Sequence, residues 1–197
     1  PILASRPNYT SEVLELHEGI PGHHLQVALA SENRALPNFR RYRMETAFSE
    51  GWGLYAETLG PELGLYRDPY QKFGALSFDA WRASRLVVDT GLHWLGWSRA
   101  QAIRFLLDRT TLSENEAAEE VDRYIAIPGQ ALAYKIGELK FLDLRARAKE
   151  ELGGKFELKR FHDALLRDGA MPLPILDAKM RRWIEDQKDA GFVGLPP

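Results

Sequence analysis

Three of the chain's five histidines, His17, His23 and His24, lie within eight residues of one another, with Glu18 directly after the first. They belong to the stretch Leu16-His17-Glu18-Gly19-Ile20-Pro21-Gly22-His23-His24-Leu25-Gln26. Neutral imidazole nitrogens suit Zn²⁺, and a carboxylate beside one of them can take a proton from water polarised by the ion. These residue types in this order point to metal-assisted hydrolysis, with Glu18 as general base.

The spacing is unusual. Zinc-protease helices carry His-Glu-x-x-His, because four residues turn a helix by about 400° and return the second imidazole to the same face. Here the later histidines lie six and seven residues after His17. A regular helix pairs His17 with His24, since a seven-residue step nearly restores the face. Pro21 breaks the ladder, however, by withholding an N–H from the His17 carbonyl and crowding it, and Gly22 admits unusual dihedrals. A local bulge would bring His23 round instead, so periodicity leaves both pairings open.

A second stretch, Glu45-Thr46-Ala47-Phe48-Ser49-Glu50-Gly51-Trp52-Gly53-Leu54-Tyr55-Ala56-Glu57, follows. Zinc hydrolases of the gluzincin type take a third ligand from a glutamate on a later helix. Glu50 lies 32 residues past Glu18, flanked by Gly51 and Gly53, which leave its backbone open to close packing. Glu57, seven residues further on and on the same face, is placed to orient a ligand.

The elements that must position these groups are helices. No segment alternates apolar and polar residues long enough to suggest a sheet. The reading is all-α, with about seven or eight helices. Helix signals run from Thr10 or Ser11 to His17, and resume after Pro21-Gly22 until Pro37 closes the unit. Others cover 41–59, 71–93, 101–109 and 115–124, the last two opened by capping boxes at Ser98/Gln101 and Ser113/Glu116. Residues 131–151, 156–167 and 175–189 complete the set, and Gly191–Pro197 reads as a frayed tail. No repeat or long linker divides the 197 residues. The chain starts Pro1-Ile2-Leu3 and reaches its densest motif almost at once, so 1–197 reads as one helical domain cut from a longer protein, which the family resemblance given below implies is its C-terminal part. The N-terminal portion of that protein is then an expected partner, supplying substrate contacts.

Composition excludes several classes. Twenty-six basic against 28 acidic residues give a formal charge of −2, no basis for nucleic-acid binding. No apolar run approaches the roughly 20 residues of a membrane span. The absence of cysteine removes disulfides, thiolate zinc sites and thiol catalysis, while leaving the compartment open.

His-Glu-Gly-Ile-Pro-Gly-His-His-Leu-Gln followed by Phe-Ser-Glu-Gly-Trp-Gly-Leu-Tyr-Ala-Glu resembles the bacterial DUF885 family. By its motif that family is grouped with zinc metallopeptidases of the gluzincin type. The similarity continues through Arg-Leu-Val-Val-Asp-Thr-Gly-Leu-His at 85–93, Arg123-Tyr124, Pro128–Gly137 and Gly169–Leu176. The resemblance implies a zinc-dependent peptidase acting on short peptides, with His17, His23 and Glu50 as metal ligands and Glu18 as base. In the family pattern the histidine after Pro-Gly is the ligand, which is His23. His24 then turns toward substrate or supports the ligands from behind.

Further candidates sit downstream. Asp89 and His93, four apart, share a helical face, where the carboxylate would fix the imidazole tautomer and His93 would face the cleft. Tyr134 follows the Pro128-Gly129 break, and its phenol would donate to a developing oxyanion. Arg82, Arg85, Arg123 and Lys135 are candidate anchors for a peptide carboxylate. The five tryptophans read as core residues, Gly153-Gly154 as a helix terminator, and Lys179, Arg181 and Arg182 as a solvated face. The rival reading is a non-catalytic metal-binding or structural helical domain, against which Glu18 argues, because metal binding alone needs no base. A zinc hydrolase of non-peptide amides or esters would use the same metal and base.

Overall fold

The computed structural model describes residues 7–189, so the tail expected at Gly191–Pro197 lies outside the described residues. Among the described residues there is no strand, and ten α-helical segments follow one another. They are α1 (Ser11–Glu18), α2 (His23–Glu32), α3 (Asn38–Arg41), α4 (Thr46–Glu57), α5 (Pro69–His93), α6 (Arg99–Arg109), α7 (Glu114–Ala126), α8 (Gln130–Leu152), α9 (Leu158–Leu166) and α10 (Leu173–Asp189). The all-α reading stands. The excess over eight comes from α3, a single turn after Pro37, and from the complete separation of α1 and α2.

Capping chemistry explains three of the starts. Ser98 and Ser113 form the expected boxes with Gln101 and Glu116, and Asp68 with Gln71 forms a third at the head of α5. Thr10 does not cap α1; its hydroxyl donates to the Pro7 carbonyl. Residues 42–45 are not helical, so α4 starts five residues later than the periodicity suggests.

Helix α4 is the centre. From Phe48 to Glu57 every residue except Glu50 is buried, because α4 is packed on one side by α8 and on the other by α1 and α2. The α4–α8 contact depends on two glycines. A Cβ on Gly51 would lie 2.4 Å from the Gly137 Cα, and one on Gly137 would lie 2.0 Å from the Ala47 carbonyl oxygen. The backbones therefore touch directly, and only hydrogen side chains fit. Trp52, Tyr55, Phe141, Phe161 and Leu165 fill the main core between α4, α8, α9 and α10. Val88, Leu106, Val121 and Tyr124 form a second core where α5, α6 and α7 meet. The tryptophans divide: Trp52 is fully buried, Trp81 lines a cleft, and Trp94, expected inside, is 84% exposed at the end of α5. No helix among the described residues is long and apolar enough to cross a membrane.

Candidate metal centre

The break between α1 and α2 determines which imidazoles meet. Helix α1 stops at Glu18, Gly19 to Gly22 turn the chain, and α2 restarts at His23 itself. The break is thus a complete turn rather than the bulge expected from Pro21. A Cβ on Gly22 would lie 1.9 Å from the His17 carbonyl oxygen, so the turn folds tightly onto the end of α1. Trp52 anchors it from α4, its indole N–H donating to the carbonyl of Pro21 at 2.8 Å. The two sequence motifs are therefore physically joined: the tryptophan of the second holds the turn of the first.

The turn places the rings of His17 and His23 4.7 Å apart and perpendicular. His24 is exposed and does not line the cleft, so neither the helical pairing with His17 nor a substrate-facing role is realised. Both imidazole rings rest on α4 at Gly53, where a Cβ would lie 2.8 Å from His17 Nε2 and 3.0 Å from His23 Cε1. Glu50 faces them, its Oε2 at 3.7 Å from His17 Nε2 and 3.4 Å from His23 Nε2.

This donor set fits Zn²⁺. One ligand atom from each of His17, His23 and Glu50 lies within 4.8 Å of the others. The 3.4 and 3.7 Å separations exceed the ~2.7–2.9 Å of a charge-assisted hydrogen bond. They lie within about 0.1 Å of the roughly 3.3–3.6 Å edges of a tetrahedron whose metal–ligand bonds are about 2.0–2.2 Å. Glu57 meets the other nitrogen of His17, Nδ1, at 2.7 Å, leaving Nε2 turned toward Glu50. Arg82, buried and sandwiched against the rings of Phe78 and Trp81, stands 3.6 Å from Glu57.

The electrostatics favour a cation between the imidazoles. Burial by itself would raise the Glu50 carboxyl, but His17 and His23 outweigh it and bring it down to about 2. Burial by itself would lower His17, yet Glu50 and Glu57 raise it. Two carboxylates thus stabilise positive charge on or beside His17, whether carried by a proton or by a metal.

The centre opens into a cleft of about 1010 Å³ walled by α1, α2, α5, α7 and the start of α8. Glu18 lines it beside the histidines, and among the described residues no hydrogen bond or ion pair ties its carboxylate down. Tyr134 also lines it, stacked on His17 at 6.3 Å.

Other expectations fail for identifiable reasons. His93 does not enter the cleft: it is exposed and its Nε2 lies 3.0 Å from the Tyr124 carbonyl oxygen. Asp89 does not hold it. That carboxylate is buried and accepts from the N–H of Gly129 at 3.0 Å, fixing the start of α8, where Gly129 adopts φ 82°. Of the four candidate carboxylate anchors, Arg82 is committed to Glu57, and Lys135 to Asp79 and Glu138. Arg85 pairs with Glu120 at 2.9 Å. Arg123 alone is half-open to the cleft, and it donates to the Tyr134 hydroxyl at 3.1 Å. Gln130, missed in the sequence, joins Tyr134 to Glu50; its position four residues before Tyr134, on one helical face, was the available signal.

Residues 1–180 match the family described as "Bacterial protein of unknown function (DUF885)". The chain belongs to the DUF885 family. A crystal structure of a "putative lipoprotein" from Colwellia psychrerythraea is similar at 45% identity and a TM-score of 0.89, over 91% of this chain and 31% of that one. A "putative lipoprotein of unknown function" from Shewanella oneidensis shares the fold, with a TM-score of 0.81 at 24% identity, over 93% of this chain and 33% of that one. The DUF885 chain thus spans about a third of these two solved chains. No curated protein matches it.

Proposed function

We propose that this DUF885 chain carries the metal centre of a zinc-dependent peptidase acting on short peptides. The observation that supports it is the convergence of two imidazole Nε2 atoms on Glu50 Oε2, with Glu57 behind His17 and the unpaired Glu18 beside them in an open cleft. His17, His23 and Glu50 would hold Zn²⁺, which supplies Lewis acidity to water and to the peptide carbonyl. Glu18 accepts a proton from the attacking water as its oxygen bonds to the carbonyl carbon. It then returns that proton to the nitrogen as the C–N bond breaks, releasing a carboxylic acid and an amine, which ionise to carboxylate and ammonium by passing the remaining water proton between them. Tyr134, which lines the same cleft, donates to the oxyanion. The remainder of the longer protein would supply the facing wall of the cleft, consistent with the third of each solved chain that this one spans.

Metal analysis of the purified full-length protein, followed by digestion of a peptide library with and without chelator, tests the reading. Glu18→Gln should keep its zinc and lose turnover on the order of 10²–10⁴-fold. Zinc-loaded Glu18→Gln with wild-type turnover would refute the mechanism, and a zinc-loaded wild type that cuts no peptide would favour the non-catalytic domain.

A further inference from the structure

Resting on the peptidase reading, we infer that Gln130 is a positioning residue that aims the Tyr134 hydroxyl hydrogen into the cleft. The argument is one of hydrogen-bond valence. Gln130 Oε1 accepts from Arg123 at 2.8 Å, and Nε2 donates to Glu50 Oε1 at 3.4 Å and to the Tyr134 hydroxyl oxygen at 3.3 Å. The amide has one workable orientation. Flipped, its carbonyl oxygen would face the Glu50 carboxylate and its NH₂ would face a guanidinium, and both contacts repel. Both amide hydrogens are thereby committed, one to the ligand carboxylate and one to the phenol.

The phenol oxygen receives two donors, Gln130 Nε2 at 3.3 Å and the Arg123 guanidinium at 3.1 Å. A phenol has one hydrogen and accepts in the remaining directions. With both donors on the acceptor side, its own O–H must point away from them. Among the described residues no acceptor meets that hydrogen, and the residue lines the cleft. The ring itself is buried, with the His17 ring 6.3 Å and the Arg85 guanidinium 4.5 Å from its centroid. What remains is a phenol with a directed, unspent donor, the arrangement that serves an oxyanion without reorganisation at the moment of reaction.

The test is a double-mutant cycle in the zinc-loaded full-length protein with Tyr134→Phe, Gln130→Leu and both together. Four quantities are read: kcat and KM on a peptide, zinc affinity by chelator competition, and calorimetric affinity for a phosphinic dipeptide, an anionic tetrahedral probe. Tyr134→Phe should lower kcat on the order of 10²–10³-fold. Gln130→Leu should lower it roughly 10- to 10²-fold. KM should stay unchanged, zinc affinity should fall in Gln130→Leu by no more than the roughly 10–100-fold expected for a lost partner of a ligand carboxylate, and phosphinate affinity at zinc saturation should fall in parallel with kcat. The double variant should be no worse than Tyr134→Phe, because Gln130 acts through that hydroxyl. Multiplying effects in the double variant, or a phosphinate affinity that Gln130→Leu leaves unchanged at zinc saturation, would overturn the inference while leaving the peptidase reading intact. A wild type that binds neither zinc nor the phosphinate would overturn the peptidase reading, and this inference with it.

Discussion

Glu57 touches Nδ1 of His17 across 2.7 Å from the same face of α4 that carries Glu50, one heptad earlier, toward Nε2. One helix therefore supplies both the carboxylate that faces Nε2 of the imidazole and the carboxylate that meets its Nδ1. A carboxylate on the far nitrogen sets ring orientation and raises ligand basicity.

Replacing Glu57 with Ala should therefore weaken zinc binding by about 10–100-fold without removing a ligand. Competition against a chromogenic chelator measures this. Undiminished zinc affinity would mean that packing alone orients His17.

Gly53 should tolerate nothing larger. In Gly53→Ala the new methyl group enters the space held by both imidazole rings. Alanine favours the helix by about 1 kcal/mol, but overpacking costs about 1–3 kcal/mol. Borne by the ligands, that strain lowers zinc affinity roughly one to two orders of magnitude, while helical circular dichroism stays unchanged. Normal zinc content in Gly53→Ala would show that the rings rest elsewhere.

His23 and His24 are separable by the same assay. His23→Ala should empty the centre, whereas His24→Ala, altering an exposed side chain on α2, should keep the metal. The reverse result would mean that α1 and α2 form one regular helix in the metal-bound protein.

At the far side of α4, His162 gives a pH prediction. Burial and the nearby Arg145 hold its imidazole down to about 4 from an ordinary 6.5, and it is hydrogen-bonded to the Tyr55 hydroxyl at 2.8 Å. The unfolded chain takes up a proton there between about pH 6.5 and 4 that the folded chain refuses. Its contribution is therefore complete above pH 6.5 and is lost as pH falls toward 4, by at most about 3 kcal/mol. Denaturant unfolding at pH 7 and 4.5 should show a larger acid loss in wild type than in His162→Gln. Equal losses would place the folded and unfolded titrations of His162 together.

The helical class and the residue types of the candidate metal centre were legible in the sequence because both are local. Helix starts follow from side chains that bond their own backbone three residues on, as at Ser98 and Ser113, and no distant residue is needed to read them. His17, Glu18 and Glu50 stood out by residue type and by the glycines around Glu50. Tertiary structure alone decided the rest, since it depended on partners far away in the chain. Whether His23 or His24 joins His17 turned on how completely Pro21 and Gly22 part α1 from α2, and that turn is held by Trp52, some thirty residues away. Asp89 and His93 have helical spacing that favours a pair, yet a backbone N–H at Gly129 and a carbonyl at Tyr124 claimed them separately. Spacing states which side chains share a face of one helix; which groups of other helices compete for them is set by packing. The contact of Gly51 with Gly137 illustrates this, since it brings α8, with Gln130 and Tyr134 at its head, against α4 beside Glu50.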